Sequence, residues 1–448
     1  MGAAALHKTT SGIRHCPKNR RSDKVRLYGP GSVALYRTMT SGRFDIAVCG
    51  GGMVGLAFAI AAARSGLSVV VIDAAKPAAL TAENFDGRVS AIAPAPRRFL
   101  EAIGAWEWMA PHAQAISDIV VSDGTVMDGA APFFLHFAEE EGDGGPLSHI
   151  VENRYTRLGL ARAAENLPGL TQISPNRVVQ QDVSGGAARL ILADGRVLEA
   201  SVIVGAEGRH SPTRDLMDVR LTQWEYGQHG IVTTVEHELP HQATAQEFFL
   251  PSGPFAILPM TGNRASLVWT EKAEAAPHFM ALSDDDFADE VRRRFTGYLG
   301  HVAPVGPRFS YPLSMQLSSH YVRARRALIG DAAHVVHPIA GQGLNLGLAD
   351  AAALAEVLGD AMRLGLDIGH ESVLERYQTW RRFDAFAMAA VTDVMNRLFS
   401  NDIAPLRLLR DAGLALTGRM GAAKSFLVGQ ASGYGVLGKQ ALPKLMRG

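Results

Sequence analysis

The 448-residue chain predicts an α/β protein carrying an α+β insertion, mostly antiparallel strands, and ending in helices. Three observations lead there. A glycine-rich turn, Gly50 to Gly55, lies between an apolar strand and a helix pattern, and the next strand ends in an acid, Asp73. Residues 219–310 change to strand-like pieces separated by turns. From Ala349 onward the apolar spacing is helical, with a break near Gly365 to Gly369.

Composition agrees with a globular enzyme-sized protein. Apolar residues make up 47% and charged residues 20%, and the length suggests two or three domains. Mean hydropathy is +0.05, yet no apolar run approaches the ~18 residues of a membrane span. Cys16 and Cys49 sit in unlike contexts. Two cysteines make neither a disulfide framework nor a metal cluster, which fits a reducing compartment. Cys49, inside an apolar strand, reads as a buried thiol.

Net charge is zero but unevenly spread. Residues 1–38 hold eight Lys/Arg and one acid, Asp23. A basic, acid-poor tail fits a nucleic-acid arm, a mitochondrial transit peptide or an extension upstream of the working start. Pro17, Gly29, Pro30 and Gly31 interrupt any helical face there. Met39 stands just before the first strand and is the expected start, with residues 1–42 as a basic extension. Nothing downstream supports nucleic-acid binding.

In chain order, Phe44 to Cys49 reads as a buried strand, Leu56 to Gly66 as a helix and Leu67 to Ile72 as a second strand. A lone GxGxxG is weak, but within a βαβ unit closed by an acid it signals a dinucleotide site. Gly50 permits the tight turn, Gly52 lets backbone approach a pyrophosphate, and Gly55 lets the helix pack on the strand. Asp73 can accept from ribose hydroxyls. A helical rhythm from Ala95 has Leu100, Ile103 and Trp106 as its apolar face, with Arg88 ahead of it. Ile119 to Phe137 reads as strands turning at Asp123-Gly124 and Asp128-Gly129. A helix is expected over Arg157 to Glu165, then short strands over 176–204 with a hairpin at Asp194-Gly195. A strand and glycine turn end at Gly205-Ala206-Glu207-Gly208-Arg209. Within the β insertion one helix is expected, Asp284 to Tyr298.

The stretch Leu328 to Asp350, LIGDAAHVVHPIAGQGLNLGLAD, closes the series. A short strand breaks at Gly330-Asp331, and a Pro338/Gly341/Gly343 loop enters a helix near Leu344. An acid beyond a strand and glycines before a helix suit a charged, hydroxyl-rich ligand. Dinucleotide-type signals therefore occur at 50–73, 205–209 and 330–347. A nicotinamide dehydrogenase needs only the first, so a larger cofactor is expected across the domain.

GGGMVGLAFAIAAARSGLSVVVID, GAEGRHSPTRD and GDAAHVVHPIAGQGLNLGLAD together resemble the p-hydroxybenzoate-hydroxylase-like flavoprotein hydroxylases. Within that group the chain is most similar to the UbiH/UbiF/VisC-type ubiquinone-biosynthesis monooxygenases. HIVENR (149–154), YGQHGIV (226–232), GPFAILPM (253–260) and RLFSNDIAPLRLLRDAGL (397–414) narrow it to that branch. The likeness covers Arg43 to Gly433. It implies a Rossmann-like FAD-binding domain from 43–118, 149–218 and 309–365, a substrate domain from 119–148 and 219–308, and a helical region over 366–448.

Carried over residue by residue, the resemblance gives Gly50, Gly52 and Gly55 to the FAD pyrophosphate and Asp73 to the adenosine ribose. Arg88 and Arg154 match cofactor-contacting arginines, and Asp331 the acid at the ribityl–pyrophosphate region. Pro338 and the backbone of Gly341, Gln342, Gly343, Leu344 and Asn345 would follow the isoalloxazine edge, with Pro338 and Gly343 nearest the reacting ring. The family's Asp-Gly is Glu207-Gly208 here, one methylene longer, in a region implicated in FAD and NAD(P)H contacts.

The implied reaction is aromatic hydroxylation with NAD(P)H and O2 through a flavin C4a-hydroperoxide, on a polyprenylated phenol. The cofactor does the hard chemistry, and the protein positions the ring and excludes water. No metal is called for: His334 and His337 do not make a ligand set. Phe249, Phe255, Leu258, Pro259 and Trp269 are candidates for the substrate wall. Basic residues among the C-terminal helical stripes, including Arg381, Arg382 and Arg397, suggest peripheral contact with a membrane or with other ubiquinone-biosynthesis proteins. A cytoplasmic protein at the inner membrane is expected, or one on the mitochondrial matrix side if the basic tail is a transit peptide. A hydroxylase of a soluble aromatic acid, a flavin reductase or epoxidase of the same fold, and a flavin-holding scaffold remain the alternatives.

Overall fold

The computed structural model describes residues 40–76, 87–125, 129–138, 145–295, 297–399, 432–435 and 438–447. The basic segment 1–38 and most of the 397–414 stretch and of the acidic loop 139–146 lie outside them.

The first sheet is built around the strand Thr40–Cys49. It pairs in parallel with Val69–Ile72 on one side and Val197–Gly205 on the other. Leu170–Ile173 and Arg326–Leu328 extend the parallel core at its two edges. Ile46, Ala47 and Val48 are fully buried, as expected for a strand covered on both faces. Period-2 alternation sends Ile46, Val48, Val69, Val71, Val202 and Val204 to the helical side. There the helices Met53–Arg64 and Gly343–Arg363 pack; both are rich in buried small and apolar residues. Ala47, Cys49, Val70 and Ile72 point to the opposite side. That side is covered by an antiparallel hairpin, Val178–Asp182 and Ala188–Leu192, not by helices. Cys49 is a free, buried thiol, and burial pushes its pKa up.

The second sheet has eight strands in the spatial order 334–335, 302–318, 221–237, 264–272, 253–260, 244–250, 118–125 and 129–138. Neighbours are antiparallel except 244–250 with 118–125. One face packs against the helix Asp284–Phe295 through Phe255, Ile257, Trp269 and Phe287. A separate three-stranded antiparallel sheet has the order 89–92, 148–152 and 113–116.

Several expectations need correction. Residues 309–318, assigned from sequence to the cofactor-binding domain, are the second half of the strand Val302–Ser318 in the second sheet. The helix from Ala95 does not reach Trp106. It spans Pro94–Ala102, the chain reverses at Gly104 with φ +74°, and Trp106–Met109 forms a separate turn of helix. Asn153–Ala164 starts four residues earlier than expected, and Asp284–Phe295 ends three residues earlier. The C-terminal break is found where expected, between Gly343–Arg363 and Glu371–Phe399, with Gly365 at φ +70°. Among the described residues no helix is long and apolar enough to cross a membrane.

Candidate cofactor and substrate site

The carboxyl end of the first sheet and the free face of the second enclose a cavity of about 750 Å³, a size suited to a small-molecule site. It lies where ligands bind in open α/β sheets, beyond the carboxyl ends of the strands where the strand order reverses about Thr40–Cys49.

Two helix starts form its first wall. Met53–Arg64 begins after Gly52 and Gly343–Arg363 after Gln342, and neither has a side-chain cap. The first N–H groups of each helix have no intrahelical acceptor. Each start carries roughly half a positive charge, so together they suit an anion and a polarised ring edge. The glycines of the first turn divide by role. Gly50 has φ +101°, and a Cβ there would strike the Ala206 carbonyl. A Cβ on Gly55 would fall on the Gly50 carbonyl. Neither lines the cavity; both hold the turn closed. Gly52 lines it, and a Cβ there would meet nothing within 4 Å. Gly343 behaves as Gly52 does. The space in front of these two positions is open to the cavity.

Asp331 sits between the two helix starts and faces the cavity. No hydrogen bond from the described residues reaches its carboxylate. Burial pushes its pKa up, and the His334 and Arg209 charges pull it back. The carboxylate opens onto the cavity, where a ligand's hydroxyls can donate to it. Arg88 and Arg209 also line the cavity. Gly341 turns the loop into the helix with φ +59°. Asn345 spends its side chain on the protein: it accepts from the Ala93 N–H at 3.2 Å and donates to the Ala91 carbonyl at 2.9 Å and to Gln342 Oε1 at 3.2 Å. It thereby ties the helix start to the strand Val89–Ile92.

Two further predicted positions lie off this wall. Asp73 accepts from the N–H groups of Gly51 at 2.5 Å and Ala75 at 2.6 Å, and does not line the cavity. Arg154 pairs with Glu152 at 2.8 Å and lies over the Tyr155 ring at 4.6 Å. Glu207 is turned away as well. It accepts from the Ser211 hydroxyl at 2.5 Å and from the Thr213 N–H and hydroxyl at 3.2 and 3.1 Å. Burial outweighs these bonds and raises its pKa. The longer side chain thus serves the start of the short helix Pro212–Leu216.

The two histidines have separate tasks. His337 caps the turn Pro338–Ala340, its Nδ1 accepting from the Ile339 N–H at 3.2 Å. Burial lowers its pKa to about 4, so it is neutral at physiological pH. His334 Nε2 lies 2.6 Å from Asp350 Oδ2, which also accepts from the Gly330 N–H. Arg381 binds Asp350 Oδ1 at 3.0 Å and Asp384 at 2.8 Å. Burial alone would raise Asp350, but His334 and Arg381 outweigh it and hold its pKa low. Arg381 is only 3% exposed. This corrects its place among basic residues able to meet a membrane; it anchors the C-terminal helix to the Gly330 turn.

The second wall comes from the sheet. Pairing aligns Val232 with Val268, Val268 with Ala256, Ala256 with Glu247, and Glu247 with Val121. All five line the cavity. Pleat alternation sorts the sequence candidates. Phe249 and Leu258 face the cavity, and Phe249 packs against Ile339 of the loop opposite. Phe255 and Trp269 point the other way into the core under the helix Asp284–Phe295. Pro259, of the same parity as Phe255, does not line the cavity either. Sequence reasoning missed Arg209, Glu247 and the Asp350–Arg381 pair. The signal for Glu247 was present in AQEFFL: an acid sharing parity with Ala245 and Phe249 in an otherwise apolar strand.

The model for an FAD binding domain matches residues 43–393 of this chain. The chain is 47% identical to the ubiquinone hydroxylase UbiL of Rhodospirillum rubrum, over 90% of this chain and 92% of that protein. It is 34% identical to the 3-demethoxyubiquinol 3-hydroxylase of Escherichia coli, over 86% of this chain and 97% of that one. Among solved structures, PqsL of Pseudomonas aeruginosa, a probable FAD-dependent monooxygenase, superposes with a TM-score of 0.70 at 25% identity, covering 84% of this chain and all of that one. The open glycine positions, the uncapped helix starts and the donorless Asp331 suit a dinucleotide carrying a polyol, as FAD does. The chain belongs to the FAD-dependent monooxygenases of the ubiquinone-hydroxylase group, flavoproteins with the p-hydroxybenzoate-hydroxylase-like fold.

Proposed function

We propose that the chain hydroxylates the aromatic ring of a polyprenylated phenol in ubiquinone biosynthesis, taking electrons from NAD(P)H and oxygen from O2. The observation that carries this reading is the contrast across one cavity. A donor-rich, glycine-open wall stands opposite an apolar sheet with aliphatic rows. Bound FAD supplies electron transfer and oxygen activation. Gly52 and the following N–H groups would take the pyrophosphate, with Arg88 beside it. Asp331 would accept from the polyol hydroxyls. The helix start at Gly343, with Pro338 and Gly341 to Asn345, would lie along the ring edge. The aliphatic rows would hold an apolar ring and exclude water, which strengthens each polar contact in the site.

The polyprenyl tail favours work at a lipid surface. The C-terminal helix exposes Phe383, Phe386 and Val394, and Arg382 and Arg397 are exposed beside them. Such a face suits anionic headgroups with apolar insertion. Sedimentation with vesicles containing anionic lipid should fall when Phe383 and Phe386 are changed to serine.

Protein purified with FAD should consume NAD(P)H and O2 faster when a prenylated phenol is added, and mass spectrometry should show one added oxygen. A flavin never reduced under those conditions would point to a scaffold. Stimulation by p-hydroxybenzoate alone would point to a soluble substrate. Asp331→Ala should weaken FAD binding at least roughly tenfold, in line with the ~1.5–3 kcal/mol of a lost hydrogen bond to a charged group. Purification with full flavin would remove Asp331 from that role.

A further inference from the structure

Glu247 stands at the centre of the apolar wall. Its strand neighbours in register are Ala256 and Val121, and the next residue in that row is Val268. It faces the cavity, and no described residue forms a hydrogen bond with it. The charged groups that line the cavity elsewhere are Arg88, Arg209 and Asp331, all on the cofactor side; Tyr311 lies on the strand Val302–Ser318. The adjacent turn and C-terminal helix present Ile339, Met388, Val391 and Met395 to the same space. No charged neighbour contributes to its titration. Burial alone pushes the carboxyl up to about 8.

Its carboxyl opens onto the cavity from an aliphatic wall that offers it no partner, so a hydroxyl of a ligand in that space is the group that can complete it. Phe249, on the same face two residues along, touches Ile339 of the loop beside the expected ring edge. Two residues of strand span about 7 Å, so Glu247 lies about one aromatic ring's length from that contact. We infer that Glu247 receives the substrate's phenolic hydroxyl and accepts its proton, an assignment that rests on the phenol reading above. In this step the phenol O–H bond breaks and a carboxyl O–H bond forms. The electron pair left on oxygen is shared with the ring, whose ortho and para carbons become more nucleophilic. The proton returns to the oxygen or to solvent after hydroxylation. A carboxyl titrating near neutrality is well matched to such a transfer.

The test uses FAD-loaded protein, a short-chain 2-prenylphenol and its methyl ether, with binding read from the flavin absorbance change. At pH 8.5 wild type should prefer the phenol over the ether by about tenfold, as for a charge-assisted hydrogen bond. In Glu247→Gln, an isosteric neutral change, the preference should fall below about threefold while ether affinity is kept. The wild-type hydroxylation rate should also rise along a limb near pH 8 that the variant lacks. Glu247→Ala should behave as the Gln variant does. If wild type discriminates and Glu247→Gln discriminates equally with the same pH limb, Glu247 is not the acceptor. If wild type binds neither compound, the phenol reading itself fails and takes this assignment with it.

Discussion

The wall holding Gly52, Asp331 and Gly341 to Asn345 comes from two short chain segments, whereas the wall holding Val232, Val268, Ala256, Glu247 and Val121 takes one residue from each of five strands. The first is made of backbone: N–H groups, open glycines and one donorless acid. The second is made of side chains selected by parity. The difference shows where recognition is local and where it is assembled. A pyrophosphate can be bound by consecutive residues because a helix start orients several N–H groups together. An apolar ring needs a surface, and only a sheet built from distant strands provides one.

The largest expected effect concerns what holds the first wall in place. Arg381→Ala leaves Asp350 buried with only His334 and the Gly330 N–H. Breaking such a pair should cost about 3–5 kcal/mol and lower Tm by roughly 3–5 °C. Asp350 has a depressed pKa, so its stabilising share is present above the ordinary carboxylate range and is lost as pH falls through the lowered value. The deficit of the variant in thermal unfolding should therefore shrink in acid. An unchanged Tm at neutral pH would mean that the wall is positioned without this network.

A medium effect separates structure from binding within one motif. Gly55→Ala places a Cβ on the Gly50 carbonyl and should reduce soluble yield or Tm, with loss of FAD following from misfolding. Gly52→Ala meets only open space at φ −66°. It should keep its Tm without FAD and yet bind FAD roughly tenfold more weakly, about 1.4 kcal/mol. Equal thermal losses in both variants would erase the distinction between a turn-forming and a cavity-facing glycine.

The smallest effect probes the second wall without substrate. Glu247 is an acid whose folded pKa is raised by burial from its ordinary value of 4.5 to about 8. Between those values the folded state holds a proton that the unfolded chain releases, so stability falls as pH rises through that window. Glu247→Gln removes this penalty. Its Tm should match wild type near pH 4 and exceed it increasingly as pH rises to 9. A constant difference across pH would place Glu247 outside the apolar wall.

The cofactor side is legible in the sequence itself. Gly50, Gly52 and Gly55 announce a tight turn through their spacing, and the helix start at Gly343 follows from the glycine loop that precedes an apolar run. Asp73 and Arg154 were legible as motif members but not as geometry. Their side chains bond to nearby backbone or to Glu152, and a motif does not state which way a carboxylate turns. On the substrate side, apolar content was visible while facing was not. Phe249 and Phe255 look alike in sequence and end on opposite sides of the sheet.

The chain's own order of residues thus determined the βαβ turn, the uncapped helix starts and the alternation that makes one sheet face aliphatic, because each depends on bonds and periodicities spanning a few residues. Tertiary structure decided that the two helix starts share a cavity, that Arg381 is buried against Asp350, and that Glu247 rests between Val121 and Ala256. Those outcomes depend on which elements pack together, as when Val121 pairs with Glu247 more than a hundred residues on, and that is set by the packing of whole layers and has no local signature.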